Sequence, residues 1–87
     1  MKKYKELKVY ITSWCHTSEE ALLFLDENNL PYEKIDIEKV KGAAEKLEEV
    51  TGKRGVPYFE IDGEWVKPYA PGLGFFRKEM KKYFEVE

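Results

Sequence analysis

The chain predicts an α/β fold of order β-α-β-α-β-β-α, a mixed four-stranded sheet with helices on both faces. Three observations carry this expectation. The hydrophobic period alternates between two and about 3.6 along the chain. Breaker residues sit where the first two helical stretches end. A two-residue Asp62-Gly63 hairpin signal then follows the second helical stretch, at positions that both tolerate positive φ.

Residues 7–12 (Leu-Lys-Val-Tyr-Ile-Thr) alternate apolar and polar and are rich in strand formers. The segment 13–18 is too polar for a core strand and carries helix-start residues. Thr17 and Glu20 have the spacing of a capping box, in which a hydroxyl and a carboxylate satisfy free amides reciprocally. Ala21, Leu22, Leu25 and Phe24 form the apolar stripe of a first helix. Asn28, Asn29 and Pro31 stop it, because proline disfavours helical geometry in the residue before it.

Residues 32–37 read as a second strand, with Ile35 and Ile37 on one face. From Glu38 the period changes, and Val40, Ala43, Ala44, Leu47 and Val50 trace one face of a second helix ended by Gly52. Two short strands, 58–61 and 64–67, flank Asp62-Gly63. Residues 68–72 read as a loop, and 73–84 as a last helix presenting Leu73, Phe76, Met80, Tyr83 and Phe84. A strand, a helix and a strand make a right-handed parallel crossover, and the hairpin completes the sheet.

Eighty-seven residues fit one domain, spanning 1–87, with a modest core. The hydrophobic fraction of 43% and aromatic fraction of 15% argue for a packed interior over disorder. A net charge of −2, with basic residues spread along the chain, gives no basic face of the kind nucleic acid requires. The pairs Lys2-Lys3 and Lys81-Lys82 read as solvated surface. No apolar run approaches the roughly 20 residues of a membrane span, and the start lacks the apolar stretch of a signal peptide. One cysteine makes no internal disulfide, which fits a reducing, cytoplasmic setting.

Cys15 stands where the first strand ends and the first helix begins. Unpaired amides and the positive end of the helix dipole favour the thiolate there, and the thiolate is the reactive form. The competing reading is a small buried hydrophobe, which suits a cysteine inside an apolar stripe better than one between Trp14 and His16 at a turn. The second feature is Gly55-Val56-Pro57-Tyr58. A proline entering a strand marks an edge, a strand start or a cis peptide.

Thr12-Ser13-Trp14-Cys15-His16-Thr17-Ser18 resembles the glutaredoxin active-site segment, and Gly55-Val56-Pro57 resembles that family's cis-proline loop. Mycoredoxins share the Thr-Ser-Trp-Cys wording. The resemblance extends from Leu7 to about Phe84 and implies a thioredoxin-like fold. It implies Cys15 as the nucleophile that attacks a disulfide or a glutathione mixed disulfide. Val56, before a cis Pro57, would pair through its backbone with an extended substrate, and Trp14 would shape the rim.

The departures from the family are as informative. Ser18 stands where dithiol members have a second cysteine, giving the Cys-x-x-Ser form of a monothiol protein. His16-Thr17 replaces the glycine-phenylalanine pair of cluster-binding members. Thr12 replaces the family's lysine three residues before the cysteine, so Lys53 or Arg54 is the candidate anchor for a thiol's carboxylate. The glycine-glycine and serine-aspartate segment that grips the γ-glutamyl end is absent, and residues 68–74 occupy its place. A helix starting near Leu73 would still offer free amides to a carboxylate.

His16, the only histidine, is a candidate proton carrier or thiolate partner, or an exposed first-turn residue. One Cys and one His adjacent in sequence do not complete a metal site. The resemblance therefore implies a monomeric monothiol thiol–disulfide oxidoreductase. Its cosubstrate would be glutathione or a related low-molecular-weight thiol, with no tightly bound cofactor. Its partner would be a disulfide-containing or glutathionylated protein. The alternatives are an iron–sulfur cluster shared by two chains and a docking module with an idle Cys15.

Overall fold

The computed structural model describes residues 3–86. The chain runs β1 (Leu7–Ile11), α1 (His16–Glu27), β2 (Glu33–Asp36), α2 (Ala43–Thr51), β3 (Tyr58–Ile61) and β4 (Glu64–Val66). It continues as β5 (Tyr69–Ala70), β6 (Gly74–Phe75) and α3 (Arg77–Tyr83). β1 to β4 form one sheet in the order β2-β1-β3-β4, while β5 and β6 form a separate small hairpin. β1 is parallel to β2, with Val9 beside Lys34, and antiparallel to β3, with Val9 beside Phe59. The fold is the thioredoxin-like α/β arrangement that the sequence predicts, with one hairpin added.

Alternation along the strands decides which helix covers which face. Leu7, Val9 and Ile11 of β1 join Phe59 and Ile61 of β3 in one core with Phe24 and Leu25 of α1, Met80 of α3 and Phe84. Tyr10 points to the opposite face, where it joins Ile35, Ile37, Ala43, Ala44 and Leu47. The central strand β1 thus buries both sides, as a strand between helical layers must. Arg77 adds a two-pronged contact to Glu27, at 3.1 and 3.2 Å, between the start of α3 and the end of α1.

The Asp62-Gly63 turn forms as expected, with φ of 50° and 88° at its two residues. The Asp62 carboxylate accepts from the amides of Lys5 and Glu6, which ties the hairpin tip to the lead-in of β1. Lys2 of the Lys2-Lys3 pair lies outside the described residues, and Lys3 is exposed.

Five expectations need correction. The Thr17–Glu20 capping box does not form: Cys15 is itself the N-cap of α1, and no side chain caps that end. β1, β2 and β4 each end one residue early, and β2 also starts one residue late, at Glu33. α2 begins at Ala43, not near Glu38. The Asp36 carboxylate accepts from the Glu38 amide at 2.9 Å and its carbonyl from the amides of Lys39 and Val40, which closes a turn first. Gly42 then takes φ of 84°, a left-handed value that a right-handed helix cannot contain. Val40 and Val50 are exposed rather than part of the buried face.

The last correction concerns 68–84. β5 and β6 occupy part of the expected loop and of the expected helix start, and α3 has seven residues from Arg77. Leu73, expected on the buried face of that helix, is 75% exposed at the hairpin turn. Carboxylate binding by a helix mouth near Leu73 therefore has no helix mouth to rest on.

Candidate active site

β1 delivers the chain to the carboxyl end of a central strand, where open α/β sheets present their ligand sites. A tight turn follows, closed by the Cys15 amide donating to the Thr12 carbonyl at 3.3 Å. Cys15 has extended dihedrals of −88° and 119°, and its carbonyl accepts from the Glu19 amide at 3.2 Å to start α1. The half-buried sulfur therefore sits at the mouth of a twelve-residue helix, where the first amides lack internal partners.

The Val56–Pro57 peptide bond is cis. Sγ of Cys15 lies 4.0 Å from the Val56 carbonyl oxygen. Two segments about forty residues apart, which the sequence offers as separate signals, are thus in contact. Pro57 is buried and Val56 is half-buried against the α2-side core.

Trp14 is 72% exposed, and its indole Nε1 donates to Glu38 Oε1 at 3.0 Å. The ring stands at the edge of a groove of about 480 Å³, bounded also by Thr12, Glu38, Glu45, Arg54 and Val56. Arg54 reaches this groove, but its guanidinium is shared with Glu48 at 3.3 Å and Glu45 at 4.0 Å. Lys53 is exposed and does not border the groove.

Ser18 and His16 diverge. Ser18 is 1% exposed on the inner side of α1, and its Oγ has no hydrogen-bond partner among the described residues. Thr12, 4% exposed, carries a second such hydroxyl. His16 has 85% of its side chain in solvent and directs Nδ1 to Glu19 Oε2 at 3.7 Å, one turn along the helix. No group of three His, Cys, Asp or Glu side chains with metal-binding spacing occurs among the described residues.

Sequence reasoning missed Tyr69. The β5–β6 hairpin carries it to the cis-proline loop, where its Oη stands 2.5 Å from the point a Cβ on Gly55 would occupy. Burial, then the charges of Cys15 and Tyr58, push its phenol above the ordinary tyrosine value. The signal available in the sequence was an aromatic residue inside a Pro-Gly loop, where no periodicity calls for one.

The structure is similar to that of a mutant of the thioredoxin-like protein BC3987, at 28% identity over 95% of this chain and 99% of that one, with a TM-score of 0.76. A glutaredoxin from Archaeoglobus fulgidus is 26% identical over 88% of this chain and 83% of its own, with a TM-score of 0.69. A wheat glutaredoxin, at 17% identity over 91% and 72% of the two chains with a TM-score of 0.66, shares the fold alone. No curated protein matches the sequence. Among the described residues, no helix is long and apolar enough to cross a membrane. The family model for glutaredoxin matches residues 7–66, which contain both Cys15 and the Val56–Pro57 loop, and the chain belongs to the glutaredoxin family.

Proposed function

We propose that this protein reduces mixed disulfides by a monothiol cycle in which Cys15 is the nucleophile. Family and fold support a thiol–disulfide oxidoreductase-type function. The observation that carries the finer reading is the Cys15 sulfur at a helix mouth, 4.0 Å from the Val56 carbonyl. A substrate strand laid along Val56 brings its own sulfur to that nucleophile.

The cycle has two exchanges. The Cys15 thiolate attacks the sulfur of glutathione, or of another low-molecular-weight thiol, in a protein mixed disulfide. A Cys15–thiol disulfide forms, and the protein's sulfur leaves with the electron pair and takes a proton from water. A second small thiolate then attacks the small-thiol sulfur on Cys15, which releases a small-molecule disulfide and restores the Cys15 thiolate. Ser18 is buried and carries no thiol, so resolution comes from outside the chain. Trp14, Val56 and Arg54 border the path of the small thiol. His16 and Lys53 face solvent. The working unit is a monomer in the cytoplasm.

A coupled deglutathionylation assay with Cys15→Ala as control tests the reading. Turnover lost in the variant is the expected result, and equal rates would overturn it. Mass spectrometry after treatment with oxidised glutathione should show one adduct, on Cys15, that free thiol removes.

A further inference from the structure

Tyr69 has no place in the cycle above, yet the fold invests in its position. The hairpin that carries it is anchored by Phe75, whose ring packs 5.4 Å from Phe24 and 6.5 Å from Phe59. Its ends are joined by the Phe76 amide donating to the Pro68 carbonyl at 2.8 Å. Lys67 Nζ lies 5.1 Å from the Tyr69 ring centroid. The hydroxyl that this support holds over Gly55 makes no hydrogen bond within the described residues.

Gly55 adjoins Val56, whose carbonyl faces the Cys15 sulfur. The hydroxyl and the sulfur therefore abut the same two-residue stretch of backbone. In-line exchange places the departing sulfur roughly 4–5 Å beyond the attacking one, two stretched S–S lengths away.

We propose that Tyr69 is a further catalytic residue, whose hydroxyl donates a hydrogen bond to the sulfur that leaves when Cys15 attacks a disulfide. This rests on Cys15 being the nucleophile of the proposed cycle. As the new S–S bond forms at Cys15, the old S–S bond breaks and negative charge grows on the departing sulfur. A neutral donor at that point stabilises charge that is absent before reaction, which is the condition for lowering a barrier. A phenol is a weaker acid than a thiol, so it keeps its proton and stabilises the thiolate by hydrogen bonding alone. The thiolate is then protonated by water. Burial and the neighbouring negative charges keep the phenol in its donor form at working pH.

The dependence on leaving group is the diagnostic. Single-turnover reaction of Cys15 with a symmetric alkyl disulfide, whose thiol is a weak acid, is compared with that of an aryl disulfide, whose thiol is a strong one. Tyr69→Phe should slow the alkyl reaction about ten- to a hundredfold, the range for a hydrogen bond to a charged group, and leave the aryl reaction nearly unchanged. Alkylation of Cys15 by iodoacetamide should keep its wild-type rate, which also reports an intact site. Gly55→Ala, whose Cβ displaces the hydroxyl, should reproduce the selective loss. Equal slowing of both disulfides, or of neither, overturns the role of Tyr69. A wild-type protein inert to both disulfides would instead overturn Cys15 as nucleophile.

Discussion

The indole Nε1 of Trp14 donates to Glu38 Oε1 at 3.0 Å, which ties the residue before the nucleophile to the turn that follows β2. The ring is otherwise held by little, being largely in solvent. Glu38→Ala should free it. The expected result is a rise in KM for the disulfide of about two- to tenfold, the worth of one net hydrogen bond, with kcat unchanged. Stability should move by less than about 0.5 kcal/mol, as at other surface sites. An unchanged KM would mean that the tether does not shape the groove.

Ser18, three residues after Cys15, is a buried hydroxyl without a partner among the described residues. A buried polar group left unpaired is unfavourable, so its removal is neutral to favourable. Ser18→Ala should keep full turnover and raise the urea midpoint by an amount worth up to about 1 kcal/mol. A loss of turnover with folding intact would give this hydroxyl a part in the chemistry.

Tyr10 makes the protein sensitive to alkali. It is buried against Trp65, at 5.1 Å between ring centroids, and donates to Glu60 Oε1 at 2.9 Å. Burial first, and the Glu60 carboxylate after it, push its phenol far above the ordinary value. Between that ordinary value and its own, the unfolded chain has lost a proton that the native chain retains. Its contribution to stability is therefore complete below about pH 10 and falls as pH rises beyond it. Tyr10→Phe should flatten the decline of unfolding free energy between about pH 9.5 and 11.5 without abolishing it, because Tyr4, Tyr32 and Tyr69 are raised as well. Parallel curves for the two proteins would contradict the assignment.

Phe84 tests the larger core. It is fully buried, and its ring meets those of Tyr4, Phe24, Phe59 and Tyr83 at 5.2 to 6.2 Å. Phe84→Ala should cost about 3–5 kcal/mol in urea unfolding. A domain of this size has only about 5–15 kcal/mol in total, so partial unfolding at 37 °C is expected. Val50→Ser, on the exposed side of α2, should change stability by less than about 0.5 kcal/mol. Similar effects at the two positions would refute the placement of the core.

Much of the fold is legible in the order of residues. Period-two spacing marks β1 and β2, and Asp62-Gly63 marks the β3–β4 hairpin because only certain residues accept its dihedrals. The helix-mouth placement of Cys15 is legible too, although the capping-box spacing points to the wrong residue as cap. The misplaced helix starts share one cause. Val40 continues the apolar rhythm of α2, and Leu73 that of α3, but rhythm alone does not weigh a rhythmic helix against a turn closed by Asp36 or a left-handed glycine. β5 and β6 have two residues each, too few to show a period at all.

The amino-acid order by itself determined the succession of the main strands and helices and the station of the one thiol, because turn chemistry and hydrophobic spacing act between near neighbours. Tertiary structure decided that Val56 faces Cys15, that Arg54 is shared with glutamates, and that Tyr69 stands over Gly55. The Val56 contact exists because β1 and β3 pair in the sheet. Tyr69 reaches Gly55 because Phe75, packed against Phe24 and Phe59, folds a short Pro-Gly stretch back onto the site, while the Arg54 pairs form only once α2 turns its glutamates toward that loop.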